Sequence, residues 1–127
     1  MYRILFLLFL FLPFRTFSQK IIFCEGVDHL GNPKNESNEF TVGMKGGFFK
    51  VLVKLNKEVG SETVVYDVYS IQNGKESFEN SLQMEVQPAI TWFFKEITFY
   101  KPGDYHVYVY DKKDRLLGVG KVKVKQK

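Results

Sequence analysis

The residues best suited to chemistry are few, and their spacing builds no recognised active site. Cys24 and His29 are separated by four residues, with Asp28 beside the histidine. A closed zinc site needs four ligands, and no second pair follows this one. His106 lies close to Asp104, but no serine or cysteine can be placed against it as a nucleophile. The sequence therefore predicts no catalytic residue and no metal site.

Three loops match ligand-binding motifs only in part. The segments GMKGGFF (43–49) and GVGKVKV (118–124) lack the G-x-x-x-x-G-K-[ST] spacing of a phosphate loop, and neither opens a helix. The loop DHLGNPKNESNE (28–39) offers oxygen ligands. It lacks the alternating carboxylates and the bidentate glutamate of an EF-hand. The sequence thus predicts no bound cofactor.

The first eighteen residues are typical of a secretory signal peptide. Arg3 supplies a positive start, residues 4–12 are an unbroken run of Ile, Leu and Phe, and the chain turns polar after Pro13. Such a run rises about 13 Å as a helix, which is too short for a hydrocarbon core of about 30 Å. We expect cleavage before Gln19, no retained transmembrane segment, export to the periplasm or cell surface, and one domain over residues 19–127.

Removal of the leader changes the charge of the chain. Arg3 and Arg15 leave with it, which lowers the formal net charge from +4 to +2. So small a charge argues against a nucleic-acid partner. Cys24 is the only cysteine, so no intrachain disulfide can form and the domain must be held by its core. A chain of this length can bury a core large enough for that purpose.

Apolar residues alternate along the chain or occur in short blocks, and no helical period is present. Glycine, asparagine and proline separate the blocks, and Asn73-Gly74 is a strong hairpin-turn dipeptide. Many short strands with frequent turns predict an all-β sandwich or barrel. The predicted strands are residues 20–25, 40–43, 48–55, 62–71, 78–87, 92–100, 105–110 and 116–125.

The stretch ITFYKPGDYHVYVYD (97–111) resembles the E–F corner of immunoglobulin-like sandwiches. In that family a tyrosine near the start of strand F donates its hydroxyl to the backbone upstream, and Tyr105 takes this place here. Val107 stands where antibody domains carry a cysteine. The resemblance implies an immunoglobulin-like antiparallel β-sandwich of about seven or eight strands, without a disulfide, similar to small secreted bacterial modules.

Eight aromatic side chains lie within residues 92–111. Alternation places His106, Tyr108 and Tyr110 on one face of a strand and Tyr105 on the other. Two interpretations stay open: the rings fill and cover the sheets, or they form an exposed contact platform. The second interpretation gives a candidate partner-binding face of Trp92, His106, Tyr108 and Tyr110.

These observations predict a non-enzymatic binding or accessory module that contacts another envelope or secreted protein. The alternative is a carbohydrate-binding module whose exposed rings stack on a glycan. A third hypothesis, a small hydrolase, needs a pocket that joins His106 with at least two other polar groups. The tail KVKVKQK (121–127) alternates lysine with other residues, which predicts an edge strand protected by charge or a site for an anionic surface.

Overall fold

The computed structural model describes residues 20–127, which form ten β-strands and no helix. The predicted signal peptide, residues 1–18, lies outside the described residues. In the part of the chain that is described, no helix has the length and apolar character to span a membrane. The strands are β1 (Lys20–Cys24), β2 (Gly26–Val27), β3 (Pro33–Lys34), β4 (Glu39–Val42), β5 (Gly47–Lys54), β6 (Thr63–Gln72), β7 (Lys75–Glu85), β8 (Trp92–Phe99), β9 (Gly103–Asp111) and β10 (Leu116–Gln126).

Two sheets form the layers of a sandwich. The small sheet has the strand order β1-β5-β8 and the large sheet the order β4-β10-β9-β6-β7, while β2 and β3 form a separate hairpin. Every pair is antiparallel except β4 and β10, which run parallel. The structure confirms the predicted all-β sandwich, and two of its ten strands have only two residues each.

Strand β7, which follows the hairpin turn after β6, begins earlier than the sequence predicts. Asn73 and Gly74 both have positive φ, at 54° and 77°, as a two-residue hairpin turn requires. The turn pairs Gln72 with Lys75, so β7 starts three residues before the predicted 78. Continuing this ladder places Phe78 opposite Tyr69. The short turn therefore decides which side chains of β7 meet those of β6.

The core is built from alternate residues of both sheets, and its largest members are aromatic. Phe49 stacks between Phe40 and Phe99, with ring centroids 4.1 and 4.6 Å away. Tyr66 is fully buried and donates its hydroxyl to the carbonyl oxygen of Val51 at 3.2 Å. Each buried ring removes about 150–250 Å² from water. Large rings thus supply the stability that a disulfide provides in many small secreted domains.

Strand β1 of the small sheet packs against strand β10 of the large sheet. A Cβ atom added at Gly120 would lie 2.5 Å from Cγ2 of Ile21 and 2.8 Å from the Phe23 ring. A Cβ atom at Gly118 would lie 2.9 Å from Cδ1 of Ile21. These two glycines let the small sheet close against the large one on this side. At the opposite side of the sandwich, the small sheet ends at its edge strand β8 and the large sheet ends at its edge strand β7.

Candidate functional site

Three of the four residues in the predicted partner-binding face lie together. His106, Tyr108 and Tyr110 are half-buried on the outward face of the large sheet, while the intervening valines of β9 are buried. Trp92 lies on β8, in the other sheet, where a Cβ atom at Gly31 would be 2.7 Å from its ring. The structure therefore does not bring Trp92 to this face. The reason is that β8 pairs with β5 and not with β9.

Two further aromatic side chains join these three and complete a contiguous cluster. The Tyr69 ring makes edge contacts with Phe78, at 5.7 Å between centroids, and with Tyr108, at 5.4 Å. Tyr108 in turn stacks on Tyr110 at 6.4 Å and meets the His106 ring edge-on at 6.4 Å. We call this surface the outer aromatic face. Its members are Asp67, Tyr69, Glu76, Phe78, His106, Tyr108 and Tyr110.

Glu76 is the polar centre of the outer aromatic face. Its Oε2 accepts the Tyr108 hydroxyl at 2.5 Å and lies 2.6 Å from Nδ1 of His106. A carboxylate can only accept, so His106 donates from Nδ1, and in the neutral ring Nε2 remains an acceptor. The hydrogen bond from Tyr108 lowers the pKa of Glu76 most, and the hydrogen bond from His106 lowers it further. The same Glu76 bond raises the pKa of Tyr108 to about 12, so Tyr108 is a neutral donor at neutral pH.

Asp67 supplies a second carboxylate to the same surface. It lies on β6 opposite Tyr108, and its Oδ1 accepts the Ser81 hydroxyl at 2.6 Å. Burial raises the pKa of Tyr110, and the charge of Asp67 raises it further. Within residues 20–127, Oε1 of Glu76 and Oδ2 of Asp67 form no hydrogen bond. The outer aromatic face thus presents two carboxylate oxygens that are free to accept.

Charged side chains of both signs lie on the outward face of the large sheet. Asp67 and Glu76 lie on the β6–β7 side of β9. On its other side, β10 places Lys121 opposite His106 and Lys123 opposite Asp104. The tail was predicted as an edge strand, but β10 pairs with β9 on one side and with β4 on the other. Lys125 also forms a 2.8 Å ion pair with Glu39. The predicted edge position is therefore wrong, because β4 pairs in parallel with β10 and covers its outer side. The sequence pattern did not reveal this pairing.

Tyr105 takes a structural position and not a place in the site. It is 7% exposed, and its ring meets Phe99 edge-on at 4.9 Å between centroids. Its hydroxyl donates to the carbonyl oxygen of Lys101 at 2.7 Å. This is a hydrogen bond to the backbone upstream, of the kind that the immunoglobulin-like resemblance implies.

Sequence reasoning did not assign Asp67, Tyr69, Glu76 or Phe78 to the site. The predicted strand began at residue 78, so Glu76 fell into a loop with no assigned face. The signal was present in Asn73-Gly74, because a two-residue hairpin fixes the pairing of the residues around it. Counting back from that turn pairs Ile71 with Glu76 and Tyr69 with Phe78, as observed.

The other chemically suggestive residues do not assemble a site. Among residues 20–127, no group of three or more His, Cys, Asp and Glu side chains could hold a metal ion. Burial removes Cys24 from solvent and raises its pKa, and His29 is exposed in the β2–β3 loop. A cleft of about 520 Å³ at one end of the sandwich contains Asp111 and Arg115. The Asp111 carboxylate already accepts hydrogen bonds there, from Nε of Arg115 at 2.8 Å and from two backbone N–H groups.

Comparison with known proteins gives structural neighbours only. No protein-family model and no curated protein sequence matches the chain. The superoxide reductase (neelaredoxin) of Ignicoccus hospitalis is similar in structure, with 14% identity and a TM-score of 0.45 over 87% of this chain and 80% of that chain. A point variant of the same reductase gives 15% identity and a TM-score of 0.40 over 67% of this chain and 73% of that chain.

These neighbours contradict one prediction from the sequence. The predicted non-enzymatic binding or accessory module is wrong on this comparison, because both neighbours are named as reductases, which are enzymes. The alternative of a carbohydrate-binding module was part of the same prediction and is withdrawn with it. At this identity and TM-score the likeness does not extend to a superoxide reductase activity for this chain.

Proposed function

We propose that the outer aromatic face binds a ligand that carries an ammonium or guanidinium group. The observation that carries the proposal is the presence of two carboxylates with free oxygens inside one contiguous cluster of rings. The face of an aromatic ring attracts a cation through its quadrupole, and a nearby carboxylate adds a direct charge interaction. An anionic ligand meets repulsion from Glu76 and Asp67 at the same place.

The contacts within the cluster prepare it for a ligand. Tyr108 touches Tyr69 and Tyr110, and its hydroxyl is held by Glu76, so its ring has little freedom to lose on binding. Phe78 is 58% exposed and offers apolar area beside the carboxylates. Glu76 and Asp67 lie away from the lysines of β10, and within residues 20–127 no lysine or arginine forms an ion pair with either carboxylate.

The test is a titration of the protein with tetramethylammonium chloride and with arginine amide, followed by amide chemical shifts. Sodium chloride at the same ionic strength is the reference. We expect saturable shifts confined to β6, β7 and β9. Glu76→Gln keeps the side-chain volume and removes the charge, and we expect it to weaken binding about fivefold, equivalent to about 1 kcal/mol.

Glu96→Gln is the matched control. Glu96 is half-exposed on the small sheet and lies 3.4 Å from Lys50, so this variant removes the same charge away from the outer aromatic face. Binding should be unchanged in this variant. Linear, unsaturable shifts, or an equal loss of affinity in Glu96→Gln and Glu76→Gln, would contradict the proposal.

We propose in addition that the chain is an immunoglobulin-like module of the tyrosine-corner type, exported by a cleaved signal peptide. The Tyr105–Lys101 hydrogen bond supports the fold family, and Arg3 with the apolar run of residues 4–12 supports export. Intact mass spectrometry of the protein recovered from the cell envelope tests the export step. A chain that begins at or near Gln19 is expected, whereas a full-length mass would show that the leader is retained.

A further inference from the structure

Three of the largest exposed apolar side chains lie at one end of the sandwich. Met44 is 80% exposed, Phe48 is 62% exposed and Tyr100 is 67% exposed. Phe48 pairs with Thr98 and Gly47 with Phe99, which brings Tyr100 to the same end of the small sheet. We call these three residues the apolar tip. Isolated exposed apolar residues are ordinary, but a group of large ones at one place usually indicates contact.

A glycine turn places the segment that carries Met44 beside Tyr100. The segment from Gly43 to Gly46 closes with a 3.0 Å hydrogen bond between their backbones, and Met44 projects from it. Gly46 has a φ of 94°, and a Cβ atom there would lie 2.8 Å from the Phe99 carbonyl oxygen and 3.1 Å from the Tyr100 ring. The missing side chain therefore lets the Tyr100 ring lie against the turn that carries Met44.

Three lysines lie next to residues of the apolar tip or to its turn. Lys45 follows Met44 and Lys101 follows Tyr100. Lys127 lies beside the same turn, because its backbone N–H donates to the carbonyl oxygen of Val42 at 3.1 Å. None of these three lysines forms an ion pair within residues 20–127.

A carboxylate also lies near these lysines. Glu79 shares a cleft with Tyr100 and Lys101. Its Oε2 is occupied by the Ser70 hydroxyl at 2.7 Å. The lysines outnumber it, so the surroundings of the apolar tip are positively charged.

We propose that the apolar tip and its lysines attach the protein to an anionic lipid surface. Membrane attachment by a folded domain takes two signals, apolar area that enters the interface and basic residues that meet the headgroups. Met44 and Phe48 supply the first signal and the lysines the second. Tyr100 has an apolar ring and a polar hydroxyl, which suits the headgroup level. A projecting turn needs no complementary pocket in a bilayer, whereas a protein partner would have to provide one.

Sedimentation with lipid vesicles tests the proposal on the full chain. Vesicles of phosphatidylcholine alone are compared with vesicles in which about one lipid in three is phosphatidylglycerol. We expect binding to the anionic vesicles that weakens as salt rises, and weaker binding to the neutral ones. Removing both apolar side chains, in Met44→Ser with Phe48→Ser, should reduce binding at least tenfold. Lys45→Ala should reduce it about fivefold.

Leu30→Ser is the matched control for the apolar tip. Leu30 is 67% exposed, as Tyr100 is, but it lies in the β2–β3 loop near Trp92, at the other end of β8. It should bind vesicles as the wild type does, and any contribution of residues 1–19 is common to all the variants. The proposal is overturned if the double variant binds like the wild type or if Leu30→Ser loses as much. A dimer that forms without lipid and dissociates in the double variant would assign the apolar tip to a second copy instead.

Discussion

Strand β9 carries tyrosines on both of its faces, and Tyr105 and Tyr108 have opposite environments. Tyr105 points into the core, packs on Phe99 and donates its hydroxyl to a backbone carbonyl. Tyr108 points outward, packs on other rings and donates to the carboxylate of Glu76. A bond to a backbone carbonyl fixes the course of the chain, whereas a bond to a surface carboxylate positions a charge. The same residue type therefore serves the fold on one face and organises a charged surface on the other.

The same contrast extends to the phenylalanines. Phe49 is 2% exposed and stacks on both sides, while Phe78 is 58% exposed and has one edge contact with Tyr69. The hydrophobic effect rewards only the area removed from water, so these two rings differ greatly in what they contribute to stability. The inward rings fill the core, and the proposed cation site rests on the outward rings.

Replacement of Phe49 by alanine should give the largest effect. Phe49→Ala removes a ring from the centre of the core and should lower the free energy of unfolding by about 3–5 kcal/mol. Phe78→Ala, its outward counterpart, should lower it by less than about 1 kcal/mol. Urea unfolding of both variants measures the difference. Equal losses would show that the outward rings are as structural as the inward ones.

The hydroxyl of Tyr105 should have a smaller effect than the Phe49 ring. Tyr105→Phe keeps the ring and loses the bond to Lys101, which should lower the free energy of unfolding by about 1–2 kcal/mol. Tyr100→Phe removes the hydroxyl of an exposed tyrosine in the same β8–β9 connection and should change the free energy of unfolding by less than about 0.5 kcal/mol. If the two variants are equally stable, the corner hydrogen bond does not hold the β8–β9 connection.

The strands could be predicted from the sequence because alternation is a local signal. Residues 106–110 alternate between aromatic side chains and valine, and the observed burial follows that alternation. The place of Trp92 could not be predicted, because β8 has apolar residues on both faces and its sheet is decided by pairing with β5. That pairing joins residues about forty positions apart, so no local pattern records it.

The candidate site was predictable only on one strand. His106, Tyr108 and Tyr110 share a face by parity alone. Tyr69 meets them only because β6 pairs with β9 and sets Tyr69 opposite His106. Glu76 then follows from the hairpin at Asn73-Gly74. The β6–β9 register is non-local and could not be predicted from the sequence. Without it, the carboxylates could not be placed among the rings.

The smallest expected effect is on proton binding by Tyr108. Glu76 raises the pKa of Tyr108 to about 12, so Glu76→Gln should return it towards the ordinary value of about 10. Ultraviolet absorbance of tyrosinate measures this ionisation, and subtraction of the Tyr108→Phe titration isolates it from the other tyrosines.

Because the folded pKa of Tyr108 lies above the unfolded one, the contribution of Tyr108 to the free energy of unfolding should be present below about pH 10 and lost as pH rises towards 12. Glu76→Gln should flatten that part of the decline. Unchanged titration curves would mean that the Tyr108–Glu76 bond is not formed in solution and that Glu76 does not hold the Tyr108 ring in the proposed site.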